Sequence, residues 1–325
     1  MPRVSVLIAA YNSADFLSAT LESVVSQTYS DWEVVLADDA SSDDTVAIAE
    51  SFGERIRVLR RETNSGRPAV SRALALEHAQ GELVAFLDAD DMWLPEYLAT
   101  MTTLFDESSS HMGNVGVVAC DARLMLPDGR IAQRTYGDEA GFCDEVSIES
   151  LLRSNPIYTS ALVPRRVIEQ AGGLATELKG TDDHDLWLRI VELGYRVVFT
   201  RTPLAVYRLR ATSLSADVGE MAVQAQAVYR RALARGRLTK RQRRIAAREL
   251  RLQEAVERLE RLDSARRSGR LPLADGLRAV PQLARVAAEN ADRVPSALRM
   301  LAKDRRPYAQ ALAEREPDPV ARAGR

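Results

Sequence analysis

The chain has 325 residues, 46% hydrophobic and 28% charged, with a formal net charge of −2. This composition excludes a disordered polyelectrolyte, and no apolar run approaches the ~20 residues of a membrane span, so any contact with a bilayer is made from its surface. The small net charge hides an asymmetry: residues 220–325 carry 25 basic and 13 acidic side chains, whereas residues 1–219 carry 19 and 33.

In chain order, "VSVLIAA" (4–10) is apolar and β-prone and predicts a buried strand. Phe16, Leu17, Leu21, Val24 and Val25 then recur at helical spacing, with Ser13 placed to cap the start. "WEVVLADDASSDDTVAIAESF" predicts a strand, a polar turn and a helix, and "IRVLRR" a short strand. "RPAVSRALALEHAQG" predicts a helix stopping near Gly81, and "ELVAFLDADD" the next strand. This alternation argues for a parallel, doubly wound α/β sheet, in which ligands bind beyond the carboxyl ends of the strands. Asp38, Asp39, Asp88 and Asp90 all fall at such ends.

The middle is more mixed. "VGVVACDARLMLPDGR" predicts strand, turn and hairpin; "SIESLLRSN" a helix; "TSALVPRRVIEQAGG" a strand and a helix ended by Gly172 and Gly173. "TDDHDLWLRIVELGY" predicts an amphipathic helix opened by acids, and "RVVFTRTPLAVYRLR" two short strands. From residue 216 onward Ala, Arg, Leu and Glu dominate and strands vanish. There Ile245, Leu252, Val256 and Leu259 form a helical stripe, Pro272, Pro281 and Pro295 punctuate later helices, and the last residues form a frayed tail. Cys120 and Cys143 have neither metal-type spacing nor a disulfide pattern, and Val4–Ala10 is too short for a signal peptide and lacks a cleavage region. Both point to a reduced, cytoplasmic setting.

Crowded carboxylates carry the chemistry. Asp88, Asp90 and Asp91 end an apolar strand, where mutual repulsion and desolvation are costly. A divalent cation, Mn²⁺ or Mg²⁺, carried with a diphosphate would relieve them, provided the chain turns so that both side chains of the D-x-D reach one ligand. The plainer alternative is a solvated turn, with Asp91 near the next helix start and Pro95 in its first turn. In "ADDASSDDT", Asp43 and Asp44 suit helix and turn capping, while Asp39 facing a pocket could accept the N3–H of a uracil. Asn64, Gly66, Arg67 and Arg72 supply a loop and helix start able to approach a phosphate. Asp182 and Asp185 read as helix N-terminal acids, Trp187 as core, and Asp183 admits a catalytic reading. His78, His111 and His184 make no metal triad by spacing.

Taken together, "VSVLIAAYN", "SVVSQTYSDWEVVLADDASSDDT", "NSGRPAVSRALALEHAQGELVAFLDADDMW" and "GGLATELKGTDDHDLWLRIVELGY" resemble the family 2 inverting glycosyltransferases of GT-A fold over roughly residues 3–215. The resemblance implies a Rossmann-like, mostly parallel catalytic domain at 1–215, with the α-helical region at 216–325 following it. It also implies a nucleotide-sugar donor, a UDP-sugar by the match at Asp39, a Mn²⁺ or Mg²⁺ ion, and a hydroxyl acceptor on a glycan or lipid carrier of bacterial cell-surface glycan synthesis. By position, Ala9, Tyr11 and Asn12 match the stretch lining base and ribose, Asp39 the uracil acid, Arg72 the donor-site arginine, and Asp88 the acid near ribose or sugar. Asp90 matches the metal ligand and Asp183 the general base. Two departures stand out: Asp182-Asp183 where the family often has Glu-Asp, and Arg210 where a metal-ligating His often follows a Tyr-Arg pair. An arginine cannot ligate a metal but can pair with a diphosphate.

Two rivals remain at this point. A sugar nucleotidyltransferase would need an early Gly- and Arg/Lys-rich phosphate loop, which "IAAYNSADF" lacks. A non-catalytic nucleotide-sugar-binding or scaffolding protein would make the helical region the working part. That basic region could pack on the catalytic domain, self-associate through its stripe, or lie against anionic lipid. Nucleic-acid binding is disfavoured because its only aromatic residues are Tyr229 and Tyr308.

Overall fold

The computed structural model describes residues 1–141, 145–210 and 213–267. Cys143, the three later prolines and the terminal tail lie outside the described residues. The first half runs β1 (Val4–Ala10), α1 (Ala14–Val25), β2 (Trp32–Asp38), α2 (Thr45–Ser51), β3 (Ile56–Arg60), α3 (Pro68–His78) and β4 (Leu83–Asp88). The next stretch runs β5 (Met92–Trp93), α4 (Tyr97–Met112), β6 (Val115–Met125), β7 (Ile131–Thr135), α5 (Tyr136–Ala140) and α6 (Ile148–Arg153). It is followed by β8 (Ala161–Pro164), α7 (Arg165–Gln170), α8 (Asp182–Glu192) and β9 (Arg196–Arg208).

The strands form one sheet in the order β3-β2-β1-β4-β8-β6-β9-β5, with β7 beside β6. The apolar β1 sits between two parallel neighbours, β2 and β4, and β3 extends the parallel half. Burial of both faces accounts for its hydrophobic run, broken only by Ser5, whose Oγ donates to Glu33. On α1, Leu17, Leu21 and Val24 share one face and are fully buried, each stabilising the fold by about 1.5–3 kcal/mol. Beyond β4 the sheet becomes mixed: β8 is antiparallel to β4 and β6, and β9 is parallel to β6 but antiparallel to β5. Gly81 feeds β4 past β1 so closely that a Cβ there would lie 2.7 Å from the backbone nitrogen of Ser5.

Local structure differs from expectation in two places. Ser13 occupies the N-cap of α1 without a side-chain cap bond; its Oγ donates to the Tyr11 carbonyl. Asp43 does the capping instead, with Oδ2 accepting from Ala14 N at 3.1 Å and Oδ1 from Thr45 N at 3.0 Å, so one carboxylate closes the starts of both α1 and α2. In place of two strands after residue 195 there is one, β9. Pro203 interrupts it opposite Asp121, at a shift of register, where a residue without an N–H is tolerated.

The chain divides into two compact units, 1–125 with 133–208 and 126–132 with 209–325. In the second, α9 (Val218–Ala234) and α10 (Lys240–Arg267) pair through Gln226 to Glu257 at 2.6 Å and Arg230 to Glu254 at 2.9 Å. Asp217 caps α9 by accepting from Glu220 N, and Thr239 and Gln242 form reciprocal bonds at the start of α10. Ile245 and Leu252 of the stripe are buried, and Val256 and Leu259 half-buried. Among the described residues no helix is long and apolar enough to cross a membrane.

Candidate active site

Parallel register brings the acidic strand ends side by side. Ala9 pairs with Ala37 on one flank and with Asp88 on the other, and Ala10 pairs with Asp38. Beyond β1 the exposed Tyr11 and Asn12 form the rim. Asn12 adopts φ 45°, its Oδ1 accepting from Ser42 N at 2.9 Å, and Ala40 opposite adopts φ 63°. Asn tolerates this left-handed region, whereas Ala there costs roughly 1–2 kcal/mol.

Asp39 is buried, and its carboxylate is well supplied with donors. Arg61 reaches Oδ1 at 2.9 Å, Ser65 donates through both N and Oγ, and Gly66 N lies 3.2 Å from Oδ2. Gly66 makes this approach at φ 66°, a conformation suited to glycine.

The second cluster is short of cations. Arg72, buried on α3, extends one nitrogen to Asp88 at the end of β4 and another to Asp182 at the start of α8, the latter at 2.8 Å. Burial opposes the guanidinium charge, but Asp182, Asp88 and Asp183 together outweigh it and hold the arginine firmly protonated. Asp182 is therefore no solvated helix acid; it is 1% exposed and fixed by its ion pair. Asp185 is equally buried and is bonded to Arg189 at 2.8 Å. The half-buried Asp183 is pushed up to about 6, first by burial and then by Asp182, against the pull of Arg72 and the His184 N–H. Asn155 Nδ2 and Thr159 Oγ1 each approach its Oδ2 at 3.3 Å. Arg72, Thr159, Asp182, Asp183 and Trp187 line one crevice, with Trp187 fully buried and edge-on to Phe86.

The chain turns after β4, with Asp91 N donating to the Asp88 carbonyl at 3.1 Å. Asp91 is buried, not at a solvated turn. Tyr158 OH donates to its Oδ2 and Arg208 N to its Oδ1, while Arg208 Nε bonds the Asp90 carbonyl. Burial, then the charges of Asp90 and Asp88, hold the Asp91 carboxyl well above its ordinary range. The helix after this turn begins at Tyr97, so Pro95 precedes its N-cap Glu96. Asp90 itself is half-buried on the turn. Arg210, half-buried, belongs to the second unit.

Among the described residues no three Asp, Glu, His or Cys side chains converge on one point that could hold a metal. Protein donors alone would not close a coordination shell. Asp90, with Asp88 two residues before it, fits a hard divalent cation of the kind bound through one or two carboxylates, the remaining ligands being phosphate oxygens.

Sequence reasoning did not single out Asn155, Tyr158, Thr159 or Arg208; it counted Asp91 among the crowded carboxylates without foreseeing its burial, and it assigned Asp182 to its helix alone. The stretch "RSNPIYTSALV" between helix and strand supplies Asn155, Tyr158 and Thr159, and its run of polar and aromatic residues is the signal the sequence offers there.

Residues 5–138 match the family model described as glycosyl transferase family 2. Over 233 residues the chain is 31% identical to the putative teichuronic acid biosynthesis glycosyltransferase TuaG of Bacillus subtilis, covering 70% of this chain and 88% of that protein. The chain belongs to glycosyl transferase family 2. It is 27% identical over 219 residues to the UDP-Glc:alpha-D-GlcNAc-diphosphoundecaprenol beta-1,3-glucosyltransferase WfaP of Escherichia coli, covering 67% of this chain and 81% of that one. The solved structure of S. aureus TarS 1–349 in complex with UDP-GlcNAc superimposes with a TM-score of 0.61 at 20% identity, covering 96% of this chain and 88% of that one. This family 2 member is thus a glycosyltransferase with the GT-A sheet that its sequence resembles, and the non-catalytic alternative is set aside.

Proposed function

We propose that this chain transfers a sugar from a UDP-sugar to a hydroxyl of a lipid-linked or other glycan acceptor, with inversion, in bacterial cell-surface glycan synthesis. The observation that carries the reading is Arg72 joining Asp88 to Asp182 beside Asp183, which gathers a donor-side acid and an elevated-pKa acid about one guanidinium. Asp183 takes the proton of the acceptor hydroxyl as its oxygen bonds the anomeric carbon. The bond from that carbon to the diphosphate oxygen breaks, and its electron pair leaves with the nucleotide. A base of pKa about 6 is largely ionised at neutral pH yet still basic, and such catalysis contributes roughly 10²–10⁴ in rate. Asp90 would hold Mn²⁺ or Mg²⁺, which as a Lewis acid would neutralise charge on the diphosphate. Arg72 keeps Asp88 in place near the donor, and Arg210 is assigned to the diphosphate by sequence position alone.

For the nucleotide, Ala9, Tyr11 and Asn12 border the base and ribose. Asp39 would receive uracil N3–H at an acceptor position that Ser65 and Gly66 hold here. WfaP is named for a UDP-sugar donor and a diphosphoundecaprenol acceptor, and that chemistry supports a cytoplasmic enzyme peripheral at the membrane's inner face. A cationic surface on the second unit is consistent with it. Arg237, Lys240, Arg241, Arg243 and Arg244 are exposed, and the only acid between residues 221 and 253, Glu249, is buried. Each such cation near anionic lipid contributes about 1 kcal/mol. Self-association through the α10 stripe is less well supported, because Ile245 and Leu252 are already buried within the chain.

The test is release of UDP from UDP-glucose and UDP-N-acetylglucosamine with Mn²⁺, with and without an undecaprenyl-diphosphate sugar. Release that stops on chelation and loses its metal dependence in Asp90→Ala is expected. A chain that binds UDP yet turns over none of these mixtures overturns the proposal.

A further inference from the structure

The segment between α6 and β8 reaches several parts of the site through successive side chains. Asn155 and Thr159 donate to Asp183 Oδ2. Tyr158 donates to Asp91, and Ser160 Oγ accepts from Trp93 Nε1 at 3.1 Å. The segment is itself well anchored, with Ile157, Tyr158 and Ser160 buried and Tyr136 OH bonded to the Asn155 carbonyl at 3.1 Å. The amide of Asn155 has a defined orientation. Its Oδ1 accepts from Ile157 N at 3.3 Å, so the Nδ2 end is the one presented to Asp183.

We propose that Asn155 and Thr159 are positioning residues for Asp183: they fix the carboxylate by one oxygen, Oδ2, and leave Oδ1 to meet the acceptor hydroxyl. This rests on Asp183 as the base. Neither donor touches the reacting atoms. Their effect is to select one rotation of the carboxyl group, which otherwise turns freely on a short side chain, and to tie that rotation to the loop carrying Asp88, Asp90 and Asp91. Orientation of this kind is what a general base requires, since proton transfer needs its acceptor atom within hydrogen-bond reach of the proton.

Both donors favour the ionised carboxylate, so their loss raises its pKa. Asp182 and Asp88 act in the raising direction, and Arg72 and the His184 N–H in the lowering direction; all four are unchanged in the variants. The experiment is a difference infrared titration of the full chain, with Asp183→Asn assigning the carboxyl band. Wild type should half-ionise near pH 6. Asn155→Ala with Thr159→Val should move the midpoint up by about one unit and slow UDP release from UDP-glucose at least tenfold, while UDP affinity by calorimetry stays within about twofold. Thr159→Ser should restore what Thr159→Val removes. If the double variant does not fold, Thr159→Val alone should move the midpoint in the same direction. An unmoved midpoint in a variant that binds UDP normally overturns the proposal. Asp183→Asn enzyme that still turns over would instead remove the base assignment, and the band shift would be unaffected.

Discussion

Two acidic strand ends flank β1, and the chain treats them differently. At the end of β2, Asp39 is met by a guanidinium, a hydroxyl and backbone N–H groups from nearby in the chain, and Asp43 by the helix starts it caps. At the end of β4, Asp88, Asp182 and Asp183 crowd about Arg72, and Asp91 is left buried beside Asp90. The first cluster is stabilised as folded. The second remains under electrostatic stress, which a proton on Asp183 relieves and which the cation and diphosphate proposed above would relieve. Unrelieved charge of this kind marks working sites more often than structural ones.

The contrast can be tested by mutation. Asp183→Asn should lower turnover by roughly 10²–10⁴. The same change should raise stability above pH 6: an acid whose folded pKa is raised makes the native state bind the extra proton, so wild type loses stability as pH climbs from 3.8 toward about 6. A thermal melt at pH 8 should show the variant about 1–3 kcal/mol more stable, discounted for the partial exposure of the carboxyl. Next in size, Arg72→Ala strips its partner from the buried Asp182 and the half-buried Asp88 and should cost about 3–5 kcal/mol in denaturant unfolding, with Arg72→Lys recovering little because one ammonium cannot span both acids. For wild type, the rate of UDP release should fall about tenfold per pH unit below 6 and level off above it; a flat profile down to pH 5 would dissolve the contrast. Smallest, Arg61→Ala should cost under about 1 kcal/mol, because its side chain is 23% exposed and Ser65 and Gly66 still hold Asp39.

The parallel half of the fold was legible because local signals agree there: apolar runs of strand length, helical spacing of Leu17, Leu21 and Val24, and polar turns between them. Asp88, Asp90 and Asp183 stood out as acids that local structure explained poorly. Asp182 did not, because a helix N-terminal position is a sufficient local reason for an acid, while its real partner Arg72 is 110 residues away. Asp91 was hidden similarly: its burial depends on Tyr158 and Arg208, 67 and 117 residues away. Asn155 and Thr159 are ordinary polar residues whose role is set by where a loop lies. The single long β9 was misread because Pro203 signals a break, and the register shift that accommodates it requires knowledge of its neighbour β6.

Asp43 has a mechanical consequence. Its two oxygens are assigned to different helices, one to the start of α1 and the other to the start of α2. Any push on the intervening turn is therefore delivered to both cylinders together, as a linkage with a shared pin moves two arms.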